Sequence, residues 1–273
     1  MCVGRIDQHG WVSGGIVKTE AVVLRSLRYG EADRILHLYT PARGRVGAIA
    51  KGVRRARSRF GGRLEPFFRL QMELHEGRGE LLTVTGAQTV DGYARLRGDA
   101  RALDAAARAC DAVGRLFETS EPHPGVFNLL CRQLALLDER TAPAGWLAPP
   151  PAARPEGGML AGALAFRLKL LLAAGLAPQL GGCASCGERE PLVGFSGEDG
   201  GVLCEACWPL SDRPGSFLLT GEAHGFMAEA LARPLSDVPD APAAALGQAE
   251  RAIAATLEHH AHVRLMPAAG RSR

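Results

Sequence analysis

No stretch of this 273-residue chain is apolar for long enough to cross a bilayer. The longest apolar run, Leu170 to Ala177, covers about a third of the length required. Arg167 and Lys169 sit just before it on the same expected helix. Residues 1–15 are polar and glycine-containing and lack the apolar core of an export signal, so a cytoplasmic protein is expected. Enzyme signatures are missing as well. There is no Gly-x4-Gly-Lys-Ser/Thr phosphate loop, no Gly-x-Gly-x-x-Gly and no His-Glu-x-x-His. Carboxylates such as Asp33, Glu65 and Asp138 show no spacing that sets a general acid against a base. No internal repeat is visible. The chain reads as a binding protein rather than an enzyme.

One local absence says more. From Lys51 to Arg63 (Lys-Gly-Val-Arg-Arg-Ala-Arg-Ser-Arg-Phe-Gly-Gly-Arg) there is no acidic side chain, while six are basic: Lys51, Arg54, Arg55, Arg57, Arg59 and Arg63. Glycines let the backbone lie close to a partner, and guanidinium forks grip phosphate oxygens two at a time. A polyanion is the natural counterpart, and a solvated basic loop is the plainer alternative. The distribution of charge favours the polyanion. Residues 1–97 hold 17 Lys and Arg against 9 Asp and Glu, net +8, whereas residues 98–273 hold 15 against 20, net −5. A positive field confined to one third of a chain suits one domain that meets nucleic acid and another that does not. Within the segment, Phe60 has two readings: a ring that stacks on a base, or a plug at the edge of a barrel. Tyr29 has the same two.

At 47% apolar and 22% charged residues, the chain is long enough for about two domains with cores of their own. From Ile16 to about Thr89 the apolar pattern has period two, clearest at Phe68, Leu70, Met72 and Leu74. Further strands are expected at Val17–Ser26, Arg34–Thr40, Arg45–Lys51 and Glu80–Gln88, separated by turn residues. Five short strands in about 75 residues suggest a small closed barrel, OB-like or SH3-like. After Asp91 the period becomes helical, and the class is α+β. Leu103, Ala106, Cys110, Val113 and Phe117 form one stripe, with Asp99 placed to cap it. Val126, Leu129, Leu130, Leu134 and Leu137 form a second, and Leu160–Leu176 and Leu246 to His262 are further helices. A proline-rich connector runs from Pro143 to Pro155. Cys110 and Cys131 fall on or beside apolar stripes and are expected in the core. His259, His260 and His262 mark a solvated helix end more readily than a metal site, because adjacent helical residues point about 100° apart.

Cys183-Ala-Ser-Cys186 is followed, after 17 residues, by Cys204-Glu-Ala-Cys207. Two such pairs at this separation are a zinc signature; two disulfides are the rival, disfavoured in a cytoplasmic chain. Four thiolates leave one zinc ion no open position, which makes the site structural. Its surroundings are more acidic than basic (Glu188, Arg189, Glu190, Glu198, Asp199, Glu205), so the main nucleic-acid surface is expected elsewhere.

Several segments together resemble a known family. Lys18-Thr-Glu-Ala-Val-Val-Leu-Arg25, Tyr29-Gly-Glu-Ala-Asp-Arg-Ile-Leu36, Lys51-Gly-Val-Arg-Arg55 and Phe60-Gly-Gly-Arg-Leu-Glu-Pro66 are similar to those of the bacterial DNA repair protein RecO family. The resemblance implies an N-terminal five-stranded OB-fold barrel, a mainly α-helical domain and an inserted four-cysteine zinc module. The corresponding divisions are 1–15 (extension), 16–95 (OB fold), 96–180 (helical), 181–210 (zinc module) and 211–273 (C-terminal helical part). It also implies a nucleoid-associated recombination mediator that binds single- and double-stranded DNA and anneals complementary strands. Such proteins act with RecR and single-stranded DNA-binding protein, and so indirectly on RecA. A zinc-containing RNA- or ribosome-associated binding protein and a nuclease are the rival classes.

Overall fold

The computed structural model describes residues 12–13, 15–55, 58–77, 79–141, 156–208 and 215–268. The connector at 143–155 and Arg57 lie outside them. The chain divides into two compact units, 1–141 and 142–273. The division falls just after the second helix.

In the first unit, β1 (Val12–Ser13) turns tightly into β2 (Ile16–Tyr29), followed by β3 (Asp33–Thr40), β4 (Gly44–Ala50), β5 (Arg69–His75) and β6 (Leu82–Asp91). β2 is long enough to serve two neighbours. Ile16 to Val22 pair with β5, and Val22 to Tyr29 pair with β3, with a bulge between Val23 and Arg25 where the strand turns the corner. β3 pairs β4, β4 runs parallel to β6 through Ala48–Leu82 and Ile49–Thr83, and β6 returns to β5. The ring β2-β3-β4-β6-β5-β2 closes, leaving the five long strands in the order of an OB fold. The period-two pattern explains what fills it. Val17, Ala21, Val23, Leu36, Leu38, Ala48, Ala50, Leu70, Met72, Leu74 and Val84 form one buried cluster.

Two helices pack outside this barrel. Asp99 caps α1 (Ala100–Leu116), its Oδ1 accepting from the Arg101 and Ala102 amides at 2.7 and 3.0 Å. Such a cap stabilises a helix by about 1 kcal/mol. α2 (Pro124–Arg140) begins at a proline, whose missing N–H costs nothing in the first turn. Cys110 and Cys131 are buried on these helices. Tyr39, on the outer face of β3, is fully buried with its ring edge-on to Phe117.

The second unit holds α3 (Glu156–Ala173), α4 (Gly221–Ala232) and α5 (Ala243–His260), together with a small sheet of β7 (Leu192–Ser196), β8 (Gly201–Cys204) and β9 (Phe217–Leu218). α3 packs on α4 and α5 and is buried on nearly all sides, as its mostly apolar sequence requires. Its two cations are tied down. Arg167, 6% exposed, pairs with Glu250 at 3.6 Å and donates to the Met266 carbonyl, while Lys169 donates to the Leu231 carbonyl at 3.1 Å. Among the described residues, no helix is long and apolar enough to cross a membrane.

Candidate nucleic-acid interface and metal centre

The basic segment joins β4 to β5 and is amphipathic in a way its charge conceals. Val53, Phe60 and Leu64 turn inward and join the barrel cluster. Lys51, Arg54, Arg55, Arg59 and Arg63 are exposed. Burying three large apolar side chains stabilises the segment by roughly 1.5–3 kcal/mol each, so it is held down at three points while its cations face solvent. Hydrogen bonds reinforce the anchoring. Gly52 N donates to Asp33 Oδ1 at 2.7 Å, Arg54 N to the Ala32 carbonyl at 2.9 Å, and the Arg54 guanidinium to the Glu31 carbonyl at 3.2 Å. Gly52 has φ +65°, a conformation that strains any residue with a Cβ. These contacts bring the segment against the β2–β3 turn, beside Tyr29.

Of the two readings of Phe60, base stacking and a plug at the barrel edge, this geometry leaves the plug. Its ring is 3% exposed inside the core, with the Arg59 guanidinium 4.9 Å from its centroid, so no base can reach its face. The ring plugs the barrel. Tyr29, by contrast, is 53% exposed and available.

Five cations elsewhere in the barrel have carboxylate partners. Lys18 pairs with Glu73, Arg34 with Glu65, Arg43 with Glu76, Arg45 with Glu118 and Arg69 with Glu20. Among the described residues, Lys51, Arg54, Arg55, Arg59 and Arg63 form no ion pair. Their charge is left for an external anion. Arg25 and Arg28, exposed on β2, extend the positive surface, and the sequence reading missed them because they fall within the strand pattern. His37 lies across from Arg25 in the register, with Nδ1 3.5 Å from the Arg45 guanidinium. Burial, with the Arg45 and Arg25 cations, holds its pKa below the ordinary histidine value.

In the second unit, the tips of two turns bring Cys183, Cys186, Cys204 and Cys207 together, with all four Sγ atoms within 4.8 Å of one another. None is in a disulfide. Each turn closes on itself: Gly187 N donates to the Cys183 carbonyl at 2.8 Å and Cys207 N to the Cys204 carbonyl at 3.2 Å. The β7–β8 hairpin between them supplies the closure. The Trp208 ring packs against Gly194 of β7, where a Cβ would collide with it. Burial pushes the Cys183 thiol up, but backbone N–H groups of Cys204, Cys186 and Ser185 favour its thiolate and bring it down to about 6. The Cys186 thiol pushes Cys207 the other way, to about 12. Four sulfurs this close cannot all ionise against one another unless a cation lies among them. A tetrahedral metal with bonds of about 2.3 Å needs its sulfurs about 3.8 Å apart, and Cys186 and Cys204 are 3.6 Å apart. The set can hold one metal ion.

Comparison with known proteins agrees with both halves of this description. The profile described as recombination protein O N terminal matches residues 15–93, and that described as recombination protein O C terminal matches residues 155–266. A protein named DNA repair protein RecO from Anaeromyxobacter dehalogenans (strain 2CP-C) is 39% identical over 258 residues, covering 91% of this chain and 93% of its own. Its namesake from Rubrobacter xylanophilus is 40% identical over 228 residues, covering 81% and 83%. That of Myxococcus xanthus is 35% identical over 192 residues, covering 69% and 71%. With a closed barrel, a four-cysteine centre and this length of shared sequence, the chain belongs to the recombination protein O (RecO) family.

Proposed function

We propose that the chain is a non-catalytic recombination mediator of the nucleoid. It binds single- and double-stranded DNA through the barrel (16–95) and anneals complementary strands. With RecR, it helps RecA take over DNA coated by single-stranded DNA-binding protein. The observation that carries this reading is the set of exposed cations at Lys51, Arg54, Arg55, Arg59 and Arg63, on an anchored segment and without carboxylate partners. Arg57 belongs to the same run and is assigned the same role. Phosphates that replace condensed counterions at these sites release them to solvent, which drives binding without reading sequence. Two strands whose phosphates share these cations repel each other less and remain together long enough to pair. One structural zinc ion is assigned to Cys183, Cys186, Cys204 and Cys207 of the 181–210 module. When bound, it cross-links two turns and neutralises their thiolates.

The test is the annealing rate of two complementary oligonucleotides coated with single-stranded DNA-binding protein, comparing wild type with Arg54→Ala/Arg55→Ala/Arg59→Ala. The variant should anneal at least about tenfold more slowly, and its slope of log affinity on log salt for single strands should fall by about 2. An unchanged rate would move the active surface away from this segment.

A further inference from the structure

The four sulfurs of the cysteine centre stand in unequal surroundings. Cys183 and Cys204 are each 2% exposed and, with Leu203, form the small core of the module. Their backbones are pinned. Cys183 N donates to the Glu188 carbonyl at 2.7 Å, Ala184 N donates to the Val202 carbonyl at 2.8 Å, and Cys204 ends β8 opposite Leu192. Cys186 is exposed and Cys207 is half-buried. Every residue from Ser185 to Pro191 is exposed, as are Glu205 and Ala206, so the outer half of the centre lies open to solvent.

The two outer sulfurs come from different turns, and they lie within 4.8 Å of each other. Zinc, when bound, keeps every sulfur of the set a thiolate, the form that reacts with oxidants. Oxidation selects a thiolate that is exposed and has a second thiolate beside it to complete a disulfide. Cys186 and Cys207 meet both conditions. Cys183 and Cys204 meet only the second, and drawing either one outward would empty the module's core.

We propose that Cys186 and Cys207 form an oxidation site for hydrogen peroxide, and that their disulfide ends metal binding by the set. The proposal rests on the zinc assignment made above. The Cys186 thiolate attacks one peroxide oxygen; an S–O bond forms, the O–O bond breaks and hydroxide leaves. The Cys207 thiolate then attacks Cys186 Sγ. An S–S bond forms, the S–O bond breaks and a second hydroxide leaves. Each thiolate gives up one electron, and the peroxide takes both. Only the Cys183 and Cys204 thiolates remain, too few to close a tetrahedral site. The new bond still joins the first turn to the second, so both inner cysteines keep their places in the core. A dithiol reverses the change by exchange, becoming a cyclic disulfide as it returns the two electrons.

The experiment treats the full-length, zinc-loaded protein with equimolar hydrogen peroxide. Released zinc is followed with a chromogenic chelator, and the cysteines are mapped by alkylation and tandem mass spectrometry. About one zinc should be released per disulfide formed, and the bond should join Cys186 to Cys207. Cys110 and Cys131, 2% and 7% exposed on α1 and α2, should stay reduced. Dithiothreitol followed by added zinc should restore the metal content. Retention of zinc, a first disulfide that includes Cys183 or Cys204, or failure to recover zinc after reduction would each overturn the proposal and leave the zinc assignment standing. Protein that takes up no zinc at all would overturn both.

Discussion

Single residues in this chain take their roles from where the barrel places them. Phe60 sits among five arginines, and nothing in that neighbourhood says whether its ring faces a base or the core. Its burial at 3% decides the matter, because the bottom of a closed barrel needs a plug and Val53, Phe60 and Leu64 provide it. Tyr39 shows the opposite economy. It is fully buried, its hydroxyl has no hydrogen-bond partner among the described residues, and burial pushes its pKa well above the ordinary phenol value. A buried donor without a partner costs about 1–3 kcal/mol. Tyr39→Phe should therefore raise the free energy of unfolding by about 1 kcal/mol, read from urea titration with an unchanged m-value. A loss of stability instead would mean that the hydroxyl makes a bond of value in the folded protein.

At the scale of elements, periodicity located most strands and helices and placed their inward faces correctly. Leu70, Met72 and Leu74 are buried as the alternation requires, and Asp99 caps α1 as its position suggests. α4 was not expected. Its stripe of Ala223, Phe226, Met227 and Ala230 is short and is interrupted by Gly225, which weakens a helix by about 1 kcal/mol relative to alanine. The available signal was Thr220, whose Oγ accepts from the Ala223 amide at 3.3 Å. The four-cysteine hairpin is the converse case, readable from spacing alone because the ligand turns are local. Metal analysis of purified protein should find about one zinc per chain, and Cys183→Ser/Cys204→Ser should abolish it. Hydrogen exchange should then accelerate over 183–208, where Cys183, Leu203 and Cys204 form only a small core, while the barrel amides keep their protection. Equal loosening of the barrel would contradict this division.

Over the whole molecule, the split of charge assigns the proposed binding to the first unit, while the second carries net negative charge. Five phosphate contacts at the described cations predict a slope of about −3.5 for single strands. Affinity should thus fall by about 10²-fold between 50 and 200 mM salt, measured by fluorescence anisotropy on a labelled oligonucleotide. A slope near zero would exclude electrostatic binding at this surface. The sequence by itself determined the charge asymmetry, the alternation of the strands, the helical stripes and the metal-ligand turns. All of these arise between residues a few positions apart, within reach of local backbone geometry. Tertiary structure decided the rest. The parallel pairing of Ala48 and Ile49 with Leu82 and Thr83 closes the barrel across more than thirty residues. Leu27, Ile35 and Ile49 become one row only through the register of three strands. Which apolar residues of a basic loop turn inward depends on a cavity built by distant strands, and only the assembled barrel supplies it.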